Sequence, residues 1–300
     1  MPPINDAHCH FFSTPFFAGL GRQLHGLGDE APDVAALARL GWDPPGGAAA
    51  LADRWVRELD RAGVHRASLI ASIPGDAESV STAVRSHPSR FVGFFMVDPT
   101  HPEADAQTTR ALDAGGLRTV CLFPAMHRFS LQDERVHRLF DLVAARPAAA
   151  VFVHCGVLTV GIRAKLGLPS PFDIRYGNPL DLHALALRYS KVPIIVPHFG
   201  AGFFREALMV ADLCPNILLD TSSSNHWIRY HPGLTLSAVF ERALSVVGPD
   251  RLLFGSDSSF FPRGWMSSVL EQQSNALDEI GADPTVRARI LGGNFDRLFS

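Results

Sequence analysis

The sequence predicts an α/β fold: a distorted (β/α)8 barrel of the TIM type, formed as one domain by residues 1–300. Three observations predict it. Eight short runs rich in Val, Ile, Leu and Phe recur along the chain, as expected of parallel strands buried on both faces. Stretches with helical spacing of apolar residues alternate with them. The length, 300 residues, suits a single barrel of this kind. The alternative, a doubly wound open sheet, ordinarily carries a Gly-rich phosphate loop after its first strand. Here that place holds "DAHCHF" and no G-x-G-x-x-G.

The elements follow in order. "INDAHCH" is the first strand, and a long irregular stretch rich in Gly and Pro, about 11–50, comes after it. "LADRWVRELDRAG" is a helix with Leu51, Trp55, Leu59 and Ala62 on one face. "RASLIAS" and "FVGFFMV" are strands flanking the helix "DAESVSTAVRSHP". The helix "PEADAQTTRALDAG" is closed by Gly115 and Gly116. "LRTVCLF" is the fourth strand, "LQDERVHRLFDLVAAR" a helix and "AAVFVH" the fifth strand. A loop of about 156–178 leads to the helix "PLDLHALALRYS" and the strand "VPIIVPH". The helix "FREALMVADLC", the strand "NILLDT", the helix "LTLSAVFERALSVVG" and the strand "DRLLFGSD" complete the barrel. A third loop, about 222–233, lies within that stretch. Two helical segments close the chain, "WMSSVLEQQSNALDEIG" and "PTVRARILGGNFDRLFS".

Composition excludes several classes. The net charge is −3 with histidines neutral, so no global basic field attracts nucleic acid or an anionic membrane. The most apolar stretch, "AAAVFVHCGVLTVG", falls short of the roughly 20 residues a membrane span needs. No basic segment followed by an apolar run marks a secretory signal at the N-terminus. The four cysteines, Cys9, Cys121, Cys155 and Cys214, form no C-x-x-C pair. Reduced thiols and a cytoplasmic location are therefore expected.

Reactive side chains collect at the strand ends. His8 and His10 end strand one, His154 strand five, His198 strand six, Asp220 strand seven and Asp257 strand eight. In a barrel of this type the C-terminal strand ends form the active-site mouth. Residues almost 250 positions apart would meet there. In a strand, His8 and His10 share one face and Cys9 points to the other. Imidazole nitrogen and carboxylate oxygen suit zinc and similar divalent ions. Such an ion lowers the pKa of a bound water towards ~7 and polarises a carbonyl. Asp220, in "DTSSS", reads more readily as a turn or cap than as a site residue. Asp6 is a candidate for orienting a ligand. His25, His65, His87, His101, His127, His137 and His183, on helices or loops, read as solvated.

The set "DAHCHF", "FVHCG", "VPHFG", "NILLDTS", "LLFGSDS" and "ILGGNFDRLF" resembles the amidohydrolase superfamily. More narrowly, it resembles the amidohydrolase-2 group of metal-dependent decarboxylases and lactonases. The resemblance runs through the whole chain in order. It implies a metal at the barrel mouth held by His8, His10, His154 and Asp257, with His198 in polarisation or proton transfer. Binuclear members carry a bridging lysine at the end of strand four. Here that strand reads "LRTVCLFP", with Cys121 and no lysine. One divalent ion is therefore expected, zinc by default and manganese second.

The expected activity is hydrolysis of a lactone, amide or ester carbonyl by activated water. Asp257 would take the water's proton and His198 would polarise the carbonyl or stabilise the oxyanion. Non-oxidative decarboxylation of an unsaturated or aromatic acid uses the same scaffold and stands as the alternative. A non-catalytic, metal-stabilised binding module stands as the third. The long loops carry Arg163, Arg175, Trp227 and Arg229, and Arg263 follows strand eight; these are expected to hold a small, carboxylate-bearing substrate. A small-molecule substrate is the partner expected, with no nucleic acid and no membrane; assembly as a homodimer is left open.

Overall fold

The computed structural model describes residues 3–26, 28–223, 225–259 and 263–300. Leu27 and Ser224, which fall within the expected loops 11–50 and 222–233, lie outside the described residues. Eight strands are present: β1 Ile4–Phe11, β2 Val64–Ala71, β3 Phe91–Val97, β4 Thr119–Leu122, β5 Ala150–Val153, β6 Ile194–Val196, β7 Ile217–Asp220 and β8 Leu252–Leu253. They pair in sequence order, each parallel to the next. β1 closes the ring against the chain that follows β8. Ala7 N donates to Phe254 O at 2.8 Å, Asp257 N to His8 O at 2.9 Å and His10 N to Ser258 O at 2.7 Å. The barrel is thus nearly closed, with a short, irregular eighth position.

Helices lie between the strands. After β1 come α1 Thr14–Gly21, α2 Pro32–Leu40 and α3 Ala48–Ala62. Then follow α4 Ala77–Ser86, α5 Ala104–Asp113, α6 Pro124–His127, α7 Glu134–Ala144, α8 Gly161–Lys165, α9 Leu182–Arg188 and α10 Phe204–Leu213. The last are α11 Leu236–Val247, α12 Ser267–Glu279, α13 Pro284–Ala288 and α14 Asn294–Phe299. The stretch expected to be irregular, 11–50, therefore holds two helices and the start of a third. Pro32 at the first turn and Gly41 in the left-handed C-cap give α2 its start and stop. The last expected helix is broken by a π-helical turn at Arg289–Gly293. Gly292 lies against the chain start there, where a Cβ would fall 2.1 Å from Pro3 O.

Three apolar clusters follow from this layout. One fills the barrel interior: Ala7, Ile70, Phe94, Phe152, Ile195 and Leu253, with Phe295 and Phe299 of α14 packed into it. A larger one lies between the outer strand faces and the helices, around Trp55, Phe140 and Phe240. A third joins the two insert segments after β1 and β5, through Phe16, Leu20 and Leu37 with Ile162 and Leu166. Among the described residues no helix is long and apolar enough to cross a membrane.

Candidate active site

The first strand carries an irregularity that decides the site. Asp6 pairs with Ala67 and Cys9 with Leu69, so β1 has one residue more than β2 between those points. This is a β-bulge, which re-aims the side chains beyond it. Ala7 faces the barrel interior, whereas Cys9, two residues on, faces the helices. After the bulge His8 and His10 face inward together. Asp6 holds the bulge. Its Oδ1 accepts His8 N at 2.9 Å and Ser256 N at 3.0 Å, and its Oδ2 accepts Trp265 Nε1 at 2.6 Å and the Ser256 hydroxyl. Burial pushes the Asp6 carboxyl upward, and these four bonds pull against it. Asp6 thus orients His8 as an acceptor for its backbone N–H, and hydrogen-bonds no imidazole.

His8 Nε2 and His10 Nε2 are 3.3 Å apart. Asp257 Oδ1 lies 3.6 Å from the first and 3.2 Å from the second. For bonds of about 2.0–2.1 Å, a tetrahedral ion sets neighbouring ligand atoms about 3.3 Å apart. The protons confirm what the triangle can accept. His8 Nδ1 lies 2.7 Å from Asp220 Oδ2, an acceptor when ionised, so the His8 proton is on Nδ1. His10 Nδ1 lies 2.8 Å from Ser72 Oγ, whose own hydrogen goes to Ile70 O at 2.9 Å. The His10 proton is therefore also on Nδ1. With both rings neutral, both Nε2 atoms carry lone pairs and converge on the Asp257 carboxylate oxygen. Three acceptors facing one another call for a cation, and this donor set suits a divalent one. Burial pulls His8 down, but the carboxylates of Asp220, Asp257 and Asp6 turn the net shift upward. Burial lowers His10. Burial opposes the Asp257 carboxylate, yet His10, His8 and His198 bring its pKa below the usual carboxylate range.

His154 and His198 stand beside this triangle. The His198 ring is 5.0 Å from the His8 ring and 5.1 Å from the His154 ring, centre to centre. Among the described residues the tight donor group consists of His8, His10 and Asp257; His154 is adjacent to it and leans on Phe123 at 5.4 Å. Among the described residues its Nδ1 is buried without a hydrogen-bond partner. Burial, reinforced by His198 and His8, holds its pKa well below the ordinary histidine value. Burial also lowers His198, with Asp257 opposing.

The backbone under these groups is strained. Asp257 has φ 59°. His198, Phe199 and Ala201 have φ 55°, 52° and 44°, and Gly200 and Gly202 are left-handed too. Left-handed conformations cost non-glycine residues roughly 1–2 kcal/mol each. Such strain persists only where the surroundings over-determine it. Gly156, after β5, is part of that support: a Cβ there would fall 2.3 Å from the carbonyl oxygens of Gly200 and Ala201. Gly255 is similarly confined: a Cβ there would fall 2.7 Å from Asp220 Oδ1 and 2.9 Å from the His8 Cβ.

Above the triangle lies a cavity of about 700 Å3. His10, His154, His198 and Asp257 line it, with Phe12, Phe16 and Trp42 from the first insert. Of the residues expected to hold substrate, Arg163, Arg229, Arg263 and Trp227 line it. Arg175 is not among the lining residues; its guanidinium pairs with Asp173 at 2.6 Å and is 85% exposed. Arg128, Lys165 and His127 line the cavity as well, so His127 is not the solvated residue expected. Five Arg and Lys side chains thus face one carboxylate, Asp257, among the described lining residues. Arg163 donates to Pro169 O and Arg128 to Pro171 O, neutral acceptors that a carboxylate outbids.

Asp220 and Ser222 were legible only in part. Asp220, read as a turn or cap, is buried against the His8 ring. Its Oδ1 also accepts Ser222 N at 2.6 Å, so it makes the turn and orients His8 at once.

The parallel barrel carries at its C-terminal mouth a histidine–carboxylate triangle, a donor group that could hold a metal ion. The chain matches the amidohydrolase family over residues 5–300 and belongs to that family. It is 34% identical over 123 residues to the 4-sulfomuconolactone hydrolase of Rhizobium radiobacter, covering 37% of this chain and 40% of that protein. It is 27% identical over 107 residues to protein fluG of Emericella nidulans, 35% of this chain and 12% of that one. The matched stretches thus span less than half the length of these curated relatives. Among solved structures, the 5-carboxyvanillate decarboxylase of Sphingomonas paucimobilis is similar with a TM-score of 0.66 at 17% identity, covering 100% and 99% of the two chains. An amidohydrolase of Burkholderia multivorans with bound zinc has a TM-score of 0.64 at 15% identity, covering 99% of each. Both likenesses concern the fold.

Proposed function

We propose that this protein is a metal-dependent hydrolase that opens a lactone, or cleaves an amide or ester, of a small carboxylate-bearing substrate. One observation carries the reading: three potential metal-ligand atoms, of His8, His10 and Asp257, converge at the floor of a cavity whose other charged lining residues, among those described, are cationic. His8, His10 and Asp257 would hold one divalent ion, zinc by preference, with His154, whose ring stands beside them, as the expected fourth ligand. When bound, the ion supplies Lewis acidity and makes a water acidic enough to lose a proton near neutral pH. The absence of a lysine at the end of β4, where Cys121 is buried facing the interior, supports one ion rather than two.

The chain's own residues do the rest. Asp257, 32% exposed towards the cavity, accepts a proton from the attacking water. His198 donates Nδ1–H to the Ser222 carbonyl at 3.1 Å, so its Nε2 enters the reaction bare. Neutral at the outset, it takes that proton over from Asp257 and carries positive charge beside the developing oxyanion. It then returns the proton to the leaving oxygen. Hydroxide has been added to the acyl carbon and hydrogen to the leaving atom, as hydrolysis requires. Arg163, Arg229 and Arg263 orient the substrate carboxylate, and Trp227 and the aromatic wall receive its apolar body.

The likeness to 4-sulfomuconolactone hydrolase supports a lactone. The likeness to a decarboxylase supports the second reading, loss of carbon dioxide from an unsaturated or aromatic acid, with protonated His198 delivering a proton to carbon. A panel of lactones and carboxylic acids, assayed with the zinc- or manganese-supplied protein, tests both. Turnover that disappears in His198→Ala and Asp257→Ala while the fold survives supports an enzyme of this kind. Turnover of nothing on the panel, with ligands still bound, favours a binding module. Replacing Arg163, Arg175, Arg229 and Arg263 in turn tests the anionic substrate; unchanged KM in all four would refute it.

A further inference from the structure

Ser222 occupies an unusual position between β1 and β6. Its Oγ is 2.9 Å from His8 Nδ1 and 2.9 Å from His198 Nδ1. Its carbonyl accepts the His198 Nδ1–H at 3.1 Å. Its N–H is fixed by Asp220 Oδ1 at 2.6 Å, and the residue is fully buried. One residue therefore touches two imidazoles that come from chain segments almost 190 positions apart by number, about a third of the way round the barrel.

The two rings need this contact unequally. His8 has a second anchor, the Asp220 carboxylate, and a third if its Nε2 binds an ion. His198 stands on the run of left-handed residues from 198 to 202, a backbone that does not by itself favour its place. Among the described residues the only hydrogen bonds of its ring are to Ser222. The carbonyl can only accept, so it selects the Nδ1–H tautomer; the hydroxyl oxygen beside it gives that same N–H a second acceptor and stops the ring from rocking.

We infer that Ser222 is the positioning residue for His198: its carbonyl and hydroxyl together lock the ring into the Nδ1–H tautomer with Nε2 bare towards the cavity. The inference rests on the acid–base role of His198 proposed above. Loss of an outer partner of this kind lowers activity by about 10- to 100-fold. In Ser222→Ala the fall belongs in kcat, with KM little changed, because Ser222 is not among the residues lining the cavity.

The test uses the full chain labelled with 15N-histidine and supplied with zinc. Long-range nitrogen–proton spectra report the tautomer of each ring, and His198→Ala assigns the His198 signals. The wild type is expected to show His198 as a single Nδ1–H tautomer. Ser222→Ala, which keeps the carbonyl and loses only the hydroxyl, is expected to keep the Nδ1–H tautomer but to show exchange broadening at His198 from a rocking ring, with zinc content unchanged because Asp220 still holds His8. Ser222→Cys, whose sulfur is a weaker acceptor, is expected to fall between. An unchanged His198 spectrum in Ser222→Ala would overturn the inference, as would loss of zinc with His198 unaltered. The spectra need no substrate. If they change as expected while no panel compound turns over, the positioning stands and the hydrolase reading fails instead.

Discussion

Asp220→Asn is the most informative single change near the site. Asp220 is fully buried and uses both oxygens as acceptors, Oδ2 for His8 Nδ1 at 2.7 Å and Oδ1 for Ser222 N at 2.6 Å. An asparagine has one acceptor and one donor end. In either orientation its NH2 meets an N–H that needs an acceptor, so a buried donor is left unsatisfied, at a cost of about 1–3 kcal/mol. The second effect is on His8. Without the carboxylate, Nδ1–H is less polarised and Nε2 is a poorer donor to an ion. Outer partners of metal-binding histidines are worth about 10- to 100-fold in affinity, or roughly 1.4–2.7 kcal/mol. Zinc competition against a chromophoric chelator measures the second effect, and urea unfolding of the metal-free protein measures the first. Both are expected to fall. Zinc affinity equal to the wild type would refute the assignment of Asp220 to His8, whatever the stability does.

Other consequences are equally checkable. Gly156→Ala puts a Cβ 2.3 Å from two carbonyl oxygens at φ +78°, so it should destabilise by about 2–5 kcal/mol in denaturant unfolding, combining overpacking and left-handed strain. Trp265→Phe removes the indole donor to Asp6 Oδ2; losing a bond to a buried acid should cost about 1.5–3 kcal/mol in the same assay. Asp133 caps α7 and pairs with Arg135, which holds its carboxyl down at about 2. Its folded pKa is below the unfolded value, so its contribution is present above about pH 4 and is lost as pH falls through about 2. Asp133→Asn should therefore lose roughly 0.5–1 kcal/mol at pH 7, discounted for exposure, and almost nothing at pH 2.

The strand order and the convergence of His8, His10, His198 and Asp257 were legible because both rest on local rules. Continuous apolar runs mark buried parallel strands, and the residue ending each run reaches the mouth. What was not legible depends on contacts remote in sequence. The bulge in β1 needs the register of β2, which no pattern within "INDAHCH" discloses. Plain alternation happened to place His8 and His10 correctly relative to Cys9, but it would have placed Ala7 with Cys9. Asp220 looked like a turn residue because it is one; its second role appears only when β1 lies opposite. The helices α1 and α2 were hidden by Gly and Pro, residues that here start and stop helices rather than exclude them. Arg128 and His127 gave no signal, since what makes them cavity residues is the return of the 169–172 segment over them.

Metal content per chain, measured by elemental mass spectrometry after zinc or manganese is supplied and excess removed, tests the central claim most directly. One ion per chain in the wild type, and a clear loss in His8→Ala, His10→Ala and Asp257→Ala, is the result expected from the triangle of donor atoms. No retained ion in the wild type, or one ion undiminished in all three variants, would contradict it.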